Sequence, residues 1–306
     1  MNLLLPVVLV VLCAPDGVDP EPLPVKEEGL GLAKRYPRDA GIEQDPRVVL
    51  HESFEADDLQ RRWDDVKKHP GQLTYATTQD SVHMGRRALR VAYTRGDNSG
   101  GHLYKMLEQG RERLFFRFYV KFPQDHGYVH HFVHLTGYEP GTRWPQGGAG
   151  ERPKGSERFS TGIDVFGDWG RIPPPGRWGF YSYWCEMKGS PDGKFWGNEP
   201  QGVKPIPVAT DAWICVELMV KVNTVGEDGP LRDGEQAFWI DGKCAGRWGG
   251  YMWRKDGKLL INGVWLLYYM TDDAVRRSKG QPKDEHVLFD DLVVATEYVG
   301  PMKTKE

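Results

Sequence analysis

Short runs of alternating apolar and polar residues recur along most of the chain. Residues 114–122 (LFFRFYVKF) place apolar side chains on one face and Arg117, Tyr119 and Lys121 on the other, and residues 213–223 (WICVELMVKVN) alternate in the same way. No run keeps a helical period over three turns, which argues against parallel βαβ units. The pattern predicts an all-β protein, in which two antiparallel sheets pack face to face as a jelly-roll sandwich of the concanavalin-like kind.

Three long loops rich in glycine and proline separate these strands, at residues 139–158, 168–179 and 188–205. The first contains Trp144, the second Trp169 and Trp178, and the third Trp196. Loops this long in a compact domain are usually functional or disordered, and we expect these to wall a cleft. The 11 Trp and 13 Tyr residues suit sugar binding, because pyranose faces stack on aromatic rings, although any single Trp can equally fill the core.

The N-terminal region differs from the rest in composition. Residues 3–14 (LLLPVVLVVLCA) have the length of a signal-peptide core and are too short for a transmembrane helix. We predict a signal peptide over residues 1–17 and a secreted or periplasmic protein. Leu12 is not the small residue that a lipid-attachment site at Cys13 would prefer, which argues against a lipoprotein.

The remaining chain divides by composition into three parts. Residues 18–46, rich in proline and charge, are predicted to form a linker. Residues 47–301 are predicted to form a single β-sandwich domain, and residues 302–306 a tail. Beyond the predicted signal peptide, the three cysteines fit no zinc pattern, and we expect buried thiols.

The net charge of −3 limits the classes of partner. Lys and Arg do not outnumber Asp and Glu, so the charge does not favour nucleic-acid binding. No stretch after the N-terminus is long and apolar enough to cross a membrane. We expect a monomer.

The segment YVHHFVHLTGY, residues 128–138, holds three of the nine histidines. If it is extended throughout, His130, Phe132 and His134 share one face, and His131 faces the other way. On a strand, four residues span roughly 13 Å, which is too far for His130 and His134 to share one metal ion. We therefore predict proton chemistry rather than metal binding.

A sheet face that carries His, Tyr, Arg and Lys and is rimmed by Trp suits an anionic chain such as a uronic-acid polysaccharide. Cleavage of this chain by β-elimination needs a donor that neutralises the carboxylate, a base that removes the C5 proton and an acid that protonates the leaving oxygen. His or Lys can be the base, Tyr can be the acid, and Arg or Lys can bind the carboxylate.

Four stretches, together spanning roughly residues 85–301, carry a family resemblance: FRFYVKFP, the HLTGY after it, VELMVKVNTVGEDGPLRDGEQAFWIDGK, and LFDDLVVATEYVGP. The chain resembles the jelly-roll polysaccharide lyases, in particular the alginate and glucuronate lyases grouped as polysaccharide lyase family fourteen and their uncharacterised bacterial relatives. The resemblance implies a base at His134, where that family has Lys, and a Tyr-x-Tyr pair at Tyr181 and Tyr183. The family's Arg on the next strand is replaced by Gly162, so Arg117 or Arg158 would have to take its role.

We therefore predict a lyase that acts on an anionic polysaccharide and needs no cofactor or metal. Its predicted catalytic residues are a base, His134 (or His130 or His131 if the register differs by one), an acid, Tyr183 or Tyr181, and two carboxylate partners, Arg117 and Lys121. The predicted substrate-binding residues are His130, His131, Tyr119, Trp144, Trp178, Lys188 and Trp196.

Two other classes of protein stay open. A non-catalytic carbohydrate-binding module would use the same Trp-rich loops and would explain the missing Arg. A glycoside hydrolase needs two carboxylates at a set separation, but the motif Glu-x-Asp-x-x-Glu does not occur, and Asp164 and Asp168 have no Glu partner at the right offset. The pair Asp290-Asp291 could hold a structural calcium, but two Asp residues on a terminal strand are common without metal.

Overall fold

The computed structural model describes residues 17–25, 31–67 and 69–303. Nearly all of the predicted signal peptide therefore lies outside the described residues. The described chain forms two large antiparallel sheets, which confirms the all-β sandwich prediction. None of its helices is long and apolar enough to span a membrane.

Nine strands, numbered in chain order, form the first sheet, here called the back sheet. In spatial order they are β1 (Glu21–Pro22), β16 (Lys243–Tyr251), β15 (Gly234–Ile240), β12 (Trp213–Lys221), β7 (Arg113–Lys121), β18 (Glu285–Ala295), β5 (Ala88–Tyr93) and β4 (Leu73–Ala76), with β2 (Val48–Glu52) also paired to β18.

Seven strands form the second sheet, here called the front sheet. In spatial order they are β11 (Ile206–Pro207), β10 (Arg177–Tyr183), β9 (Arg158–Phe166), β8 (Val133–Tyr138), β17 (Ile261–Tyr269), β6 (Gly100–Arg111) and β3 (Asp65–Val66).

The other elements are short. They are a hairpin of β13 (Val225–Gly226) and β14 (Gly229–Pro230), the helices α1 (Leu59–Arg62) and α2 (Asp272–Arg277), and five 3-10 helices at Leu32–Arg35, Pro37–Asp39, Ile42–Gln44, Gln79–Ser81 and Asp168–Gly170.

The core lies between the two sheets and follows the predicted alternation. Phe116 and Phe118 of β7 point inward and are fully buried, as are Val133 and Leu135 of β8. Trp178 of β10 belongs to the same core and has 0% exposure, so its prediction as a substrate-binding residue is wrong. The alternation of side chains along β10 explains this result, because Trp178 and Phe180 point inward whereas Tyr181 and Tyr183 lie on the outer face.

The N-terminal segment covers part of the outer face of the back sheet. Leu32, Ala33 and Ile42 are buried against residues of β18 and its C-terminal extension. Asp39 of the same segment forms an ion pair with Arg117, whose side chain has 0% exposure. The predicted linker over residues 18–46 is therefore wrong for this part, and so is the prediction that Arg117 binds a substrate carboxylate.

Tyr119 and Lys121 lie on that same outer face, away from the front sheet. The Tyr119 hydroxyl accepts a hydrogen bond from the Met302 backbone N–H at 2.7 Å, and its ring stacks on His83 with centroids 3.6 Å apart. The Lys121 ammonium donates to the Asp80 carbonyl at 3.0 Å and pairs with Asp211. Their predicted roles at a substrate site are wrong, since an alternation pattern identifies a face but not what covers it.

We predict that Arg117→Leu destabilises the protein by about 3–5 kcal/mol, because it leaves the Asp39 carboxylate buried without a partner. The double variant Arg117→Leu/Asp39→Leu should recover most of this loss. Urea unfolding would measure both, with Arg113→Leu, an exposed position on the same strand, as the control. If Arg117→Leu is as stable as Arg113→Leu, the ion pair does not anchor the N-terminal segment.

Candidate active site

A cross-strand row of residues on the outer face of the front sheet forms the centre of a groove. Tyr181 pairs with Gly162, Gly162 with His134, and His134 with Trp265, across four neighbouring strands. Directly paired residues of antiparallel strands point to the same face, so these side chains converge. The polar and aromatic residues lining the groove are His131, His134, Tyr138, Gln146, Arg158, Phe159, Ser160, Tyr181, Tyr183 and Trp265.

Gly162 is a steric requirement of this row. A Cβ atom at this position would lie 2.5 Å from Cγ of His134, closer than real Cβ atoms approach other atoms. The imidazole of His134 therefore occupies the space that a side chain would take. The family resemblance implies an Arg at this position, whereas here a side chain would clash with the His134 ring.

The carboxylate of Asp164, on β9, holds the histidines of the groove. Its Oδ2 is 2.8 Å from Nδ1 of His131, and its Oδ1 accepts the Phe132 backbone N–H at 2.6 Å. Nε2 of His134 lies 3.6 Å from Oδ1. Burial opposes ionisation of Asp164, but His131 and then His134 outweigh it and hold the pKa of this carboxyl well below its usual range.

An irregularity at the start of β8 brings the two histidines together. His131 forms an isolated bridge with Tyr269, and the regular strand begins at Val133. Phe132 turns into the core, whereas His131 and His134 both reach Asp164. The prediction that His131 faces away from His134 is therefore wrong, because it assumed an extended chain throughout.

Tyr181 and Tyr183 border the histidines. Their hydroxyls are 3.3 Å apart, and the ring centroids of Tyr181 and His131 are 4.5 Å apart. Burial, and then the neighbouring Tyr183, raise the pKa of Tyr181 well above its ordinary value. The phenol of Tyr181 therefore stays protonated at neutral pH, beside a histidine that Asp164 orients.

Arg158 brings a cation to the groove. Its guanidinium donates from Nη2 to the Glu151 carbonyl at 2.8 Å and to the Gly148 carbonyl at 3.2 Å. It also lies 5.8 Å from the ring centroid of Tyr183. Of the two arginines weighed from sequence, only Arg158 lies in the groove.

The other predicted binding residues lie around the groove or away from it. His130 stacks on His131, and burial followed by the charge of His131 lowers its pKa to about 3, which leaves it neutral at physiological pH. Trp144 and Trp196 are exposed on their loops, and Lys188 pairs with Asp19 at 2.6 Å. None of these three is among the residues that line the groove.

Sequence reasoning missed the buried Asp164, which holds the histidines, and the lining residues Trp265, Gln146 and Tyr138. Asp164 was weighed only as half of a carboxylate pair for a hydrolase. The available signal was its place on the same strand face as Gly162, two residues away. Trp265 carries no such signal, because its position depends on the pairing of β17 with β8, which alternation does not reveal.

Asp290 and Asp291, considered for calcium, face His83 instead. Asp290 accepts the backbone N–H groups of His83 and Met84, and Asp291 Oδ2 lies 2.6 Å from Nδ1 of His83. Burial, and then the charge of Asp291, raise the pKa of Asp290 above its ordinary range. In the described part of the chain, no group of three or more His, Cys, Asp or Glu residues is arranged to hold a metal ion.

Solved structures of alginate lyases share this fold. The alginate lyase vAL-1 from Chlorella virus matches with a TM-score of 0.60 and 16% identity, over 81% of this chain and 99% of its own. The marine PL-14 alginate lyase from Aplysia kurodai matches with a TM-score of 0.61 and 16% identity over the same shares, 81% and 99%. Identities this low show the fold alone, which is the jelly roll of these polysaccharide lyases and confirms the resemblance. No protein-family model and no curated protein sequence matches the chain.

We predict that the wild type loses stability relative to the Asp290→Asn variant as pH rises from about 5 to about 8. A carboxyl whose pKa is raised in the folded state binds more protons folded than unfolded, so raising the pH through this window favours unfolding. Urea midpoints across the window would test it, with exposed Asp228→Asn as the control. If stability depends on pH equally in Asp290→Asn and in the wild type, the raised pKa of Asp290 would be contradicted.

Proposed function

We propose that the protein is a polysaccharide lyase that cleaves a uronate-containing polysaccharide by β-elimination. The observation that carries this proposal is the Asp164-bound imidazole of His131, which lies 4.5 Å from the ring of Tyr181 in an open groove. A titratable base and a protonated phenol, side by side on a lyase-like fold, are the two proton-transfer groups that the elimination requires.

His131 is the better base of the two histidines bound to Asp164. Because Asp164 is ionised, Nδ1 of His131 must donate to it, which leaves Nε2 as the basic nitrogen. The side chain of His131 is 24% exposed, whereas that of His134 is 7% exposed. His134, the base implied by the family resemblance, is packed over Gly162 and under Trp265, so we assign it to positioning Asp164.

Tyr181 is proposed as the acid that protonates the departing glycosidic oxygen. Its raised pKa keeps the proton in place until the leaving oxygen develops negative charge. Gly197 of the third loop lies against its ring, since a Cβ there would be 2.5 Å from the ring atoms. This contact and the Tyr183 hydroxyl fix the position of the phenol.

Arg158 is proposed to neutralise the substrate carboxylate, in place of Arg117 and Lys121. Two backbone carbonyls orient its Nη2, and the rest of the guanidinium can donate to a carboxylate in the groove. Neutralising this carboxylate makes the neighbouring C5 proton acidic, so that an imidazole can remove it.

The proposed substrate agrees with export of the protein, for which residues 3–14 are the basis. A secreted or periplasmic location and a monomeric state stay predictions.

The hydrolase alternative is the weaker one. Asp164 is 1% exposed and accepts bonds from His131 and Phe132, and Asp168 is bound by Arg177, so neither carboxylate is free to act on a glycosidic bond. A carbohydrate-binding module would bind the polysaccharide in the same groove, but it would not cleave it and would therefore release no products.

We predict that incubation with alginate, polyglucuronate or polygalacturonate gives products that absorb in the near ultraviolet, because elimination creates a double bond conjugated with the carboxylate. Reducing ends should appear at the same rate. Reducing ends without absorbance would indicate a hydrolase, and polymer binding without either product would indicate a binding module.

We predict that His131→Ala lowers kcat by about 10²–10⁴-fold, because it removes the general base. Added imidazole should restore part of the activity, since the cavity left by the ring can admit it. His134→Gln is the matched comparison and should retain more activity than His131→Ala, and thermal melting should show that both variants are folded. Full activity in His131→Ala together with its loss in His134→Gln would move the base to His134.

A further inference from the structure

The groove continues past His131 into a second cleft that none of the proposed proton-transfer steps uses. His131 and Tyr181 line both clefts, so the second is continuous with the first. At its far side lie Trp169, in the 3-10 turn Asp168–Gly170, and Arg277, at the end of α2. Arg158 begins β9 and lines the first cleft only, whereas Trp169 follows the end of β9, so the two clefts lie toward opposite ends of this strand.

Trp169 is held outward in a conformation that the chain must stabilise. Its side chain is 65% exposed, and both Asp168 and Trp169 have positive φ, at 46° and 60°. This backbone region costs a non-glycine residue free energy and persists where the surroundings enforce it. Arg177 supplies the restraint, with two hydrogen bonds to Asp168 at 2.6 and 2.9 Å and two to Glu199 at 2.6 and 2.8 Å.

Arg277 adds a cation to the same cleft. Its side chain is 52% exposed, and its only described carboxylate partner is Asp273, at 3.6 Å and itself 80% exposed. A solvent-exposed pair of this kind holds its guanidinium weakly, so a ligand carboxylate can compete for it. An indole face beside an available guanidinium fits a sugar ring that carries a carboxylate.

We propose that Trp169 and Arg277 form a second uronate subsite, on the opposite side of His131 from Arg158. This inference rests on the proposed lyase function and extends it. A polysaccharide seated at both ends of the groove places the bond to be cleaved in its middle, over His131 and Tyr181. The protein is therefore an enzyme that cuts within chains rather than from their ends.

The test measures binding and cleavage in the full-length chain. Trp169→Ala and Arg277→Gln should each weaken the affinity for alginate, polyglucuronate or polygalacturonate by roughly five- to tenfold, measured by affinity electrophoresis in a His131→Ala background, in which turnover is slow. Trp169→Phe should retain most of the affinity. The matched control is Arg276→Gln, since Arg276 is 55% exposed, pairs with Asp272 and does not line the cleft. Thermal melting would confirm that each variant is folded.

For cleavage by the otherwise wild-type protein, viscosity should fall early relative to absorbance, because internal cuts shorten long chains fastest. Trp169→Ala and Arg277→Gln should raise KM for the polymer more than they lower kcat. Affinities equal to that of Arg276→Gln would overturn the subsite, and absorbance that rises without loss of viscosity would overturn internal cleavage. Weaker binding in both variants with no unsaturated product from the wild type would support the subsite and contradict the lyase proposal. Neither binding nor cleavage of any of the three polymers would contradict both.

Discussion

The buried carboxylate of Asp164 is the interaction on which the candidate active site depends. It accepts the backbone N–H of Phe132 and faces the rings of His131 and His134, so it links β9 to the irregular start of β8. An ionised group this deeply buried is stable only with partners that donate to it or carry positive charge. The same contacts fix which nitrogen of His131 is free, so the fold and the proposed chemistry share one constraint.

The two faces of the sandwich have different roles because different segments cover them. The N-terminal segment covers part of the back sheet: its Leu32 and Ile42 are buried there, and its Asp39 pairs with the buried Arg117. The outer face of the front sheet stays open between the long loops, which is where the histidines and tyrosines meet. In the part of the chain that the structure describes, polar side chains thus occur on both outer faces, and the groove of histidines and tyrosines lies on the front one.

Much of the fold could be predicted from the sequence, because strand alternation has a strict period of two. The inward Phe and Val residues of β7 follow that rule, and so does the outward pair Tyr181 and Tyr183. The site could be predicted only in part. Alternation cannot show that Asp39 covers Arg117, because that contact joins residues 78 apart in sequence. It also fails at His131, where the chain departs from regular strand geometry so that Phe132 can enter the core.

The central claim is that the free nitrogen of His131 removes a proton from a uronate bound between Arg158 and Trp169. The most direct test is a crystal structure of the His131→Ala variant with a uronate oligosaccharide. If His131 is the base, we expect a sugar carboxylate on Arg158, a C5 atom facing the vacated imidazole position and the Tyr181 hydroxyl near the glycosidic oxygen. A sugar chain bound elsewhere on the molecule, or one in the groove with its C5 atom turned away from that position, would contradict it.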